Sequence, residues 1–276
     1  MRARVVIVVG PTFDFFAGLA ERIKRVLVHA FVSKLSVEAS NVGILGGLPR
    51  VRALHSLAWS PFALDRWPFR LTINPQRNVA YFVTNRGIEM FEASGDAPKP
   101  ALIIPLKSFG GINVLIDRRG RWAYFASDDD GTISIYSIDP RSGALMPQTS
   151  PPVKAGNEPR AMAIDPNGRF FYVTNIPKIR NGPTILGFRV DSRTGALRKL
   201  PTSPFSGAAA GNGLTITPDG AFLYATNFSG KTIAGFAIDQ LTGALWRLPH
   251  SPFKAGDTPG QIVSCQRIGD SCKATP

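Results

Sequence analysis

The sequence predicts an all-β fold, a β-propeller built from four-stranded antiparallel blades, and three observations carry that expectation. A phrase of about fifty residues recurs in register along the chain. Its strands are short, rich in aromatic and β-branched residues, and apolar on both faces. Gly and Asx fall at fixed offsets, where tight antiparallel turns need positive φ and local capping. A lone four-stranded sheet of this kind leaves a face uncovered, whereas radial stacking of such sheets covers both.

Residues 1–40 stand outside the repeat. Phe15, Phe16, Leu19, Ile23, Val26, Leu27 and Phe31 interleave with Arg22, Lys24, Arg25 and Lys34, a spacing that predicts an amphipathic helix within 13–37. The basic start before Val5 is followed by an apolar run that Pro11 and Asp14 interrupt before a secretory core is complete. Cytoplasmic and periplasmic or secreted locations therefore both stand.

The propeller is expected over residues 41–265. Residues 42–45 and 52–54 with Ser60-Pro61-Phe62 match the last two strands of a blade. A first full copy, lacking the turn glycine, keeps Asn74-Pro75, Tyr81, Asn85 and Phe91. A second has Asp117-Arg118-Arg119-Gly120, Tyr124, Asp128, Tyr136 and Ser142-Gly143-Ala144-Leu145. The third, the clearest, runs through Asp165-Pro166-Asn167-Gly168, Tyr172-Val173-Thr174-Asn175, Phe188 and Thr194-Gly195-Ala196-Leu197 to Ser203-Pro204-Phe205. The fourth repeats this as Thr217-Pro218-Asp219-Gly220, Tyr224-Ala225-Thr226-Asn227, Phe236, Thr242-Gly243-Ala244-Leu245 and Ser251-Pro252-Phe253. Four complete blades are thus expected, plus a partial one in which Pro259-Gly260-Gln261-Ile262 begins an inner strand and residues 266–276 form a C-terminal tail. Phe91, Tyr136, Phe188 and Phe236 share one repeat position and are expected to pack between blades. Asn85, Asp128, Asn175 and Asn227 end the second strand of each copy and are expected to cap the turn that follows.

Composition narrows the function. The 276 residues are 44% hydrophobic, enough for a sizeable core in a single repeat domain. A net charge of +13 favours anionic substrates, but no basic stripe interleaves with aromatics and no recognition helix is evident, so nucleic acid is not expected as a partner. No stretch is long and apolar enough to span a membrane. Cys265 and Cys272 fit either a small terminal disulfide loop or two free thiols. His29, His55 and His250 are scattered without ligand spacing, and no phosphate loop or nucleophile elbow is present, so neither metal nor cofactor is expected.

Propeller topology places a ligand at the loops that lead into the inner strands, here 109–113, 156–160, 208–213 and 255–261. Polar residues that break the repeat there are the candidates, because packing alone does not require them. Arg160 suits clamping of a carboxylate or phosphate, and Glu158 or Asp257 suits a general base. Asn113, Asn175, Asn212, Asn227 and Gln261 are the candidate substrate contacts.

With its Tyr172-Val173-Thr174-Asn175 and Tyr224-Ala225-Thr226-Asn227 segments, its Asp-Pro-x-Gly turn and its Thr-Gly-Ala-Leu to Ser-Pro-Phe segment, the chain resembles the lactonase-family β-propellers, also described as YVTN-repeat proteins. The resemblance covers roughly residues 41–264. It implies a seven-bladed ring that binds a lactone or sugar acid at the channel mouth, with activities similar to 6-phosphogluconolactonase or to muconate-type lactonising enzymes. It does not place the family's catalytic residues one by one. Seven blades at this period need about 350 residues, so the chain is expected to hold part of a ring. Hydrolysis of a sugar lactone is the activity this implies. The alternative is a non-catalytic propeller scaffold that binds a protein or polysaccharide, with open blade edges favouring self-association.

Overall fold

The computed structural model describes residues 4–8, 68–77, 79–84, 87–92, 99–105, 111–148, 150–176, 185–207, 211–227, 230–256, 259–268 and 271–274. Among them every regular element is a strand. The helix expected within 13–37 and the outer strands expected within 41–62 lie outside the described residues.

After β1 (Arg4–Val8), four antiparallel sheets follow one another along the chain. The first holds β2 (Pro68–Ile73), β3 (Val79–Thr84), β4 (Gly87–Glu92) and β5 (Lys99–Pro105) in sequence order. The second holds β6 (Gly111–Ile116), β7 (Trp122–Ser127) and β8 (Thr132–Ile138), with β9 (Leu145–Pro147) and β10 (Val153–Lys154) both paired to β8. The third is β11 (Pro159–Ile164), β12 (Phe170–Asn175), β13 (Ile185–Val190) and β14 (Leu197–Lys199). The fourth is β15 (Leu214–Ile216), β16 (Phe222–Asn227) and β17 (Thr232–Ile238), with β18 (Leu245–Arg247) and β19 (Phe253–Lys254) both on β17.

The opening strands of consecutive sheets touch, β2 with β6, β6 with β11, β11 with β15. This is the radial stacking that the repeat predicts.

The end of the chain departs from expectation. β20 (Gln261–Ile268) turns back into β21 (Ser271–Ala274), so residues 266–276 are not a plain tail. β1, from the segment read as lying outside the repeat, pairs antiparallel with β20, setting Arg4 opposite Cys265 and Val8 opposite Gln261. A strand edge offers unpaired backbone donors and acceptors, and the apolar run at Val5 is β-branched enough to take them. The register puts Cys265 opposite Ala274 and Cys272 opposite Arg267, not opposite each other.

The turns form as their residue types demand. Asp165 Oδ1 accepts from the backbone N–H groups of Arg169 and Phe170, and Gly168 N donates to Asp165 O at 2.8 Å. At the outer turns Asp191 Oδ1 accepts from Arg193 N and Thr194 N, both at 2.9 Å, and Asp139 and Asp239 act alike. Those backbone donors hold all three carboxyls below the usual carboxylate range.

Between sheets, the recurring tyrosine does two things. Tyr81, Tyr124 and Tyr172 are fully buried, and each donates its hydroxyl to a glycine carbonyl in the outer turn of the next sheet: Gly143 at 2.7 Å, Gly195 at 3.1 Å and Gly243 at 2.8 Å. Gly243 is a glycine for two reasons. Its φ is +76°, and a Cβ there would lie 2.5 Å from the Phe170 ring. At the other end of the strands Thr174 Oγ1 donates to Gly211 O at 3.2 Å and Thr226 Oγ1 to Gly260 O at 3.0 Å. Phe188 packs among Tyr124, Phe171 and Val173, and Phe236 among Tyr172, Phe205 and Leu223, so at these two copies, and at Tyr136 beside the first sheet, the shared aromatic position is inter-sheet core, while Phe91 clusters with Ala80, Phe82 and Leu71 of its own sheet among the described residues.

Candidate functional site

Three segments meet where the second and third sheets adjoin. The chain leaves β7 at Ser127 and turns through residues 128–131 into β8. The 155–158 loop leads into β11 and is tied to that turn by Ala155 N donating to Gly131 O at 2.8 Å. Beneath the loop, β12 ends at Asn175.

Arg160, in β11, is the centre of this junction. Its Nη2 donates to Glu158 Oε2 at 2.8 Å, and its Nη1 lies 3.8 Å from Asp128 Oδ2. Glu158 is held in the left-handed region at φ +45°, a conformation costing a non-glycine residue about 1 kcal/mol or more. That strain turns its carboxylate back onto a residue two positions along the chain.

Burial pushes the Asp128 carboxyl above its ordinary range, against the opposing pull of the Arg160 guanidinium. Two buried acceptors, Asp128 Oδ1 and Asn175 Oδ1, have no donor among the described residues. Gly156 crosses directly over the Asn175 amide: with φ +98°, a Cβ there would fall 2.3 Å from Asn175 Oδ1. The junction therefore offers a guanidinium flanked by two carboxylates, Glu158 half-exposed and Asp128 largely buried, with two oxygens, Asp128 Oδ1 and Asn175 Oδ1, that call for O–H or N–H donors.

The other sequence candidates spread further. Asn113 Nδ2 donates to the Arg160 carbonyl at 2.7 Å, which fixes β6 against β11. Asn227 serves its own turn, with Gly230 N donating to Oδ1 at 2.9 Å and Nδ2 donating to Thr232 Oγ1 at 3.2 Å. Asn212 is exposed in the lead into β15, and Gln261 is exposed at the start of β20. Asp257 lies outside the described residues. Asp128 is the residue the sequence undervalued, since it reads there as one more turn cap. The signal lay in its charge, because the other three copies carry Asn at that position. No group of three His, Cys, Asp or Glu side chains suited to a metal ion occurs among the described residues. Nor does any helix long and apolar enough to cross a membrane occur among them.

Comparison with known proteins gives a consistent picture. Residues 107–210, which include Arg160 and all its partners, match the family described as lactonase, seven-bladed β-propeller. The chain is 34% identical over 96 residues to a 6-phosphogluconolactonase of Formosa agariphila, a match covering 34% of this chain and 26% of that protein. Among solved structures, a protein of Bacteroides uniformis superposes with a TM-score of 0.60 at 19% identity, covering 70% of this chain and 56% of the other. The periplasmic gluconolactonase of Pseudomonas aeruginosa gives 0.57 at 17% identity, covering 71% and 56%. At such identities the solved structures show the fold alone. The stacked sheets are propeller blades, and the chain spans a little over half the length of these propellers.

Proposed function

We propose that the chain is a lactonase-like propeller whose Arg160 junction hydrolyses a sugar lactone, 6-phosphogluconolactone being the representative substrate. The observation that supports this reading is the guanidinium of Arg160 held between Glu158 and Asp128 at the mouth of the inner strands, within the segment that carries lactonase-family sequence.

In this reading a carboxylate takes a proton from water as the oxygen attacks the lactone carbonyl carbon. The oxyanion that forms faces the Arg160 guanidinium, which exchanges its contact with the half-exposed Glu158 for the substrate. Collapse breaks the ring C–O bond and returns the proton to the leaving alkoxide, giving the open hydroxy acid. Glu158, Asp128 and Asp257 are the candidate bases. The buried acceptors Asp128 Oδ1 and Asn175 Oδ1 suit the hydroxyls of a polyhydroxy ligand.

The test is lactone hydrolysis by the full chain against the spontaneous rate, across phosphorylated and neutral lactones. Acceleration is expected, with kcat/KM falling by about 10²-fold or more in Arg160→Ala, as for loss of an oxyanion donor. Absence of acceleration across the panel would sink the reading.

A second reading, a scaffold that presents its outer surface to a protein, polysaccharide or second copy, draws on the fourth sheet. Leu241 is 83% exposed and Trp246 is 66% exposed there. Sedimentation analysis decides its self-association form: concentration-dependent dimers that Trp246→Ser abolishes support it, and a monomer at all concentrations removes it.

A further inference from the structure

At the opposite ends of the strands from Arg160, two neighbouring interfaces are built from the same parts and finish differently. Between the third and fourth sheets, Arg169 follows the β11–β12 turn and reaches the outer turn of the next sheet. There Gln240 receives it: Arg169 Nη1 donates to Gln240 O at 3.0 Å and Nη2 to Gln240 Oε1 at 2.9 Å. The Gln240 amide in turn donates to Gly220 O at 2.8 Å, so its side chain fills the gap.

Between the second and third sheets the position of Arg169 is held by Arg121, and that of Gln240 by Ser192. Serine lacks the reach to receive a guanidinium. A cleft of about 470 Å³ lies there instead, lined by Ser192, Trp122, Gln76 and the three arginines Arg118, Arg119 and Arg121. Arg121 keeps only a 3.8 Å approach to Asp117 and its side chain is 44% exposed. Arg118 and Arg119 are exposed as well.

Three guanidiniums thus face one carboxylate, and Asp117 Oδ1 is already occupied by Arg121 N and Trp122 N. Trp122 lines the same cleft, and its indole Nε1 is buried with no acceptor among the described residues. Among the cleft's described residues the buried unsatisfied atom is a donor, Trp122 Nε1, and the charges in excess are cations, the reverse of the acceptor-rich Arg160 junction. A ligand that completes it must bring several acceptor oxygens and more than one negative charge. Its volume is within the range of small-molecule sites.

We propose that this cleft binds a small phosphate-bearing molecule, the phosphate taken by Arg118, Arg119 and Arg121. The site is independent of the lactonase reading, because it lies at the other end of the strands and shares no residue with it.

The test is calorimetric titration of the full chain with inorganic phosphate at low ionic strength, repeated with glucose 6-phosphate. Saturable binding in the millimolar range or tighter is expected, falling at least tenfold in Arg121→Ala. Ser192→Gln is the sharper variant, since it leaves every charge in place and restores the side chain that closes the neighbouring interface. It too should weaken phosphate at least tenfold, whereas Ser192→Ala should not. The Trp122 indole N–H resonance, assigned by its loss in Trp122→Phe, should shift as phosphate is added. Arg160→Ala should bind phosphate as the parent does. No saturable binding in the parent, equal binding in Arg121→Ala and Ser192→Gln, or loss confined to Arg160→Ala would each overturn the proposal.

Discussion

Strands β12 and β16 carry nearly the same words, Phe-Phe-Tyr-Val-Thr-Asn and Phe-Leu-Tyr-Ala-Thr-Asn, yet they live in different surroundings. Every residue of β12 is buried, whereas Phe222, Tyr224 and Asn227 of β16 are partly exposed. Tyr172 gives its hydroxyl to Gly243 of the following sheet; Tyr224 makes no such hydrogen bond among the described residues. Asn175 is buried with an unpaired Oδ1, while Asn227 caps its own turn. The neighbour, more than the residue, decides whether a repeat position becomes core, cap or site.

The largest expected effect tests the tyrosine. Tyr172→Ala should cost about 3–5 kcal/mol, as for other fully buried aromatics, and Tyr224→Ala less than half of that, read from urea midpoints. Equal losses would break the contrast. Gly243→Ala should follow at about 2–3 kcal/mol, combining left-handed backbone with a clash on Phe170. Gly168→Ala shares the positive φ, +68°, but meets nothing within 4 Å, and should cost only about 1 kcal/mol. Removing only the hydroxyl in Tyr172→Phe strands the Gly243 carbonyl and should cost about 1–2 kcal/mol, whereas Tyr224→Phe should stay within about 0.5 kcal/mol.

The smallest effect concerns charge. The folded state holds the Asp128 proton more tightly than the unfolded chain does, so its contribution is fully present below the unfolded carboxyl pKa and is lost as pH rises through the folded value. Asp128→Asn, which installs the residue of the other copies, should raise the denaturation midpoint at pH 7. That advantage should shrink towards pH 3. An advantage that grows in acid would reverse the assignment of burial as the dominant cause.

Much of this was legible in advance. Asp165, Gly168 and Gly243 announce turns because a short side-chain acceptor and a residue free to take positive φ suit the geometry, and four sheets in register follow from them. Tyr172 and Phe188 announce core for the same reason. The pairing of β1 with β20 was not legible, because a five-residue apolar run has no partner until the chain is folded. Glu158 and Arg160 stand out in the sequence as polar residues that interrupt the repeat. Their contact with Asp128 was hidden, since it joins two copies and periodicity describes only what happens within one. The cleft at Ser192 escaped for a related reason: a missing side chain is visible only beside the interface where Gln240 is present.

The tyrosine hydrogen bonds, finally, all point one way. Tyr81, Tyr124 and Tyr172 each reach towards a glycine further along the chain, and Thr174 and Thr226 reach in the same direction. A polypeptide leaving the ribosome therefore completes the hydrogen bonds of Tyr81, Tyr124 and Tyr172 only when the following sheet's turn has emerged. Assembly acquires a direction, with every newly made unit acting as the latch for the one before it.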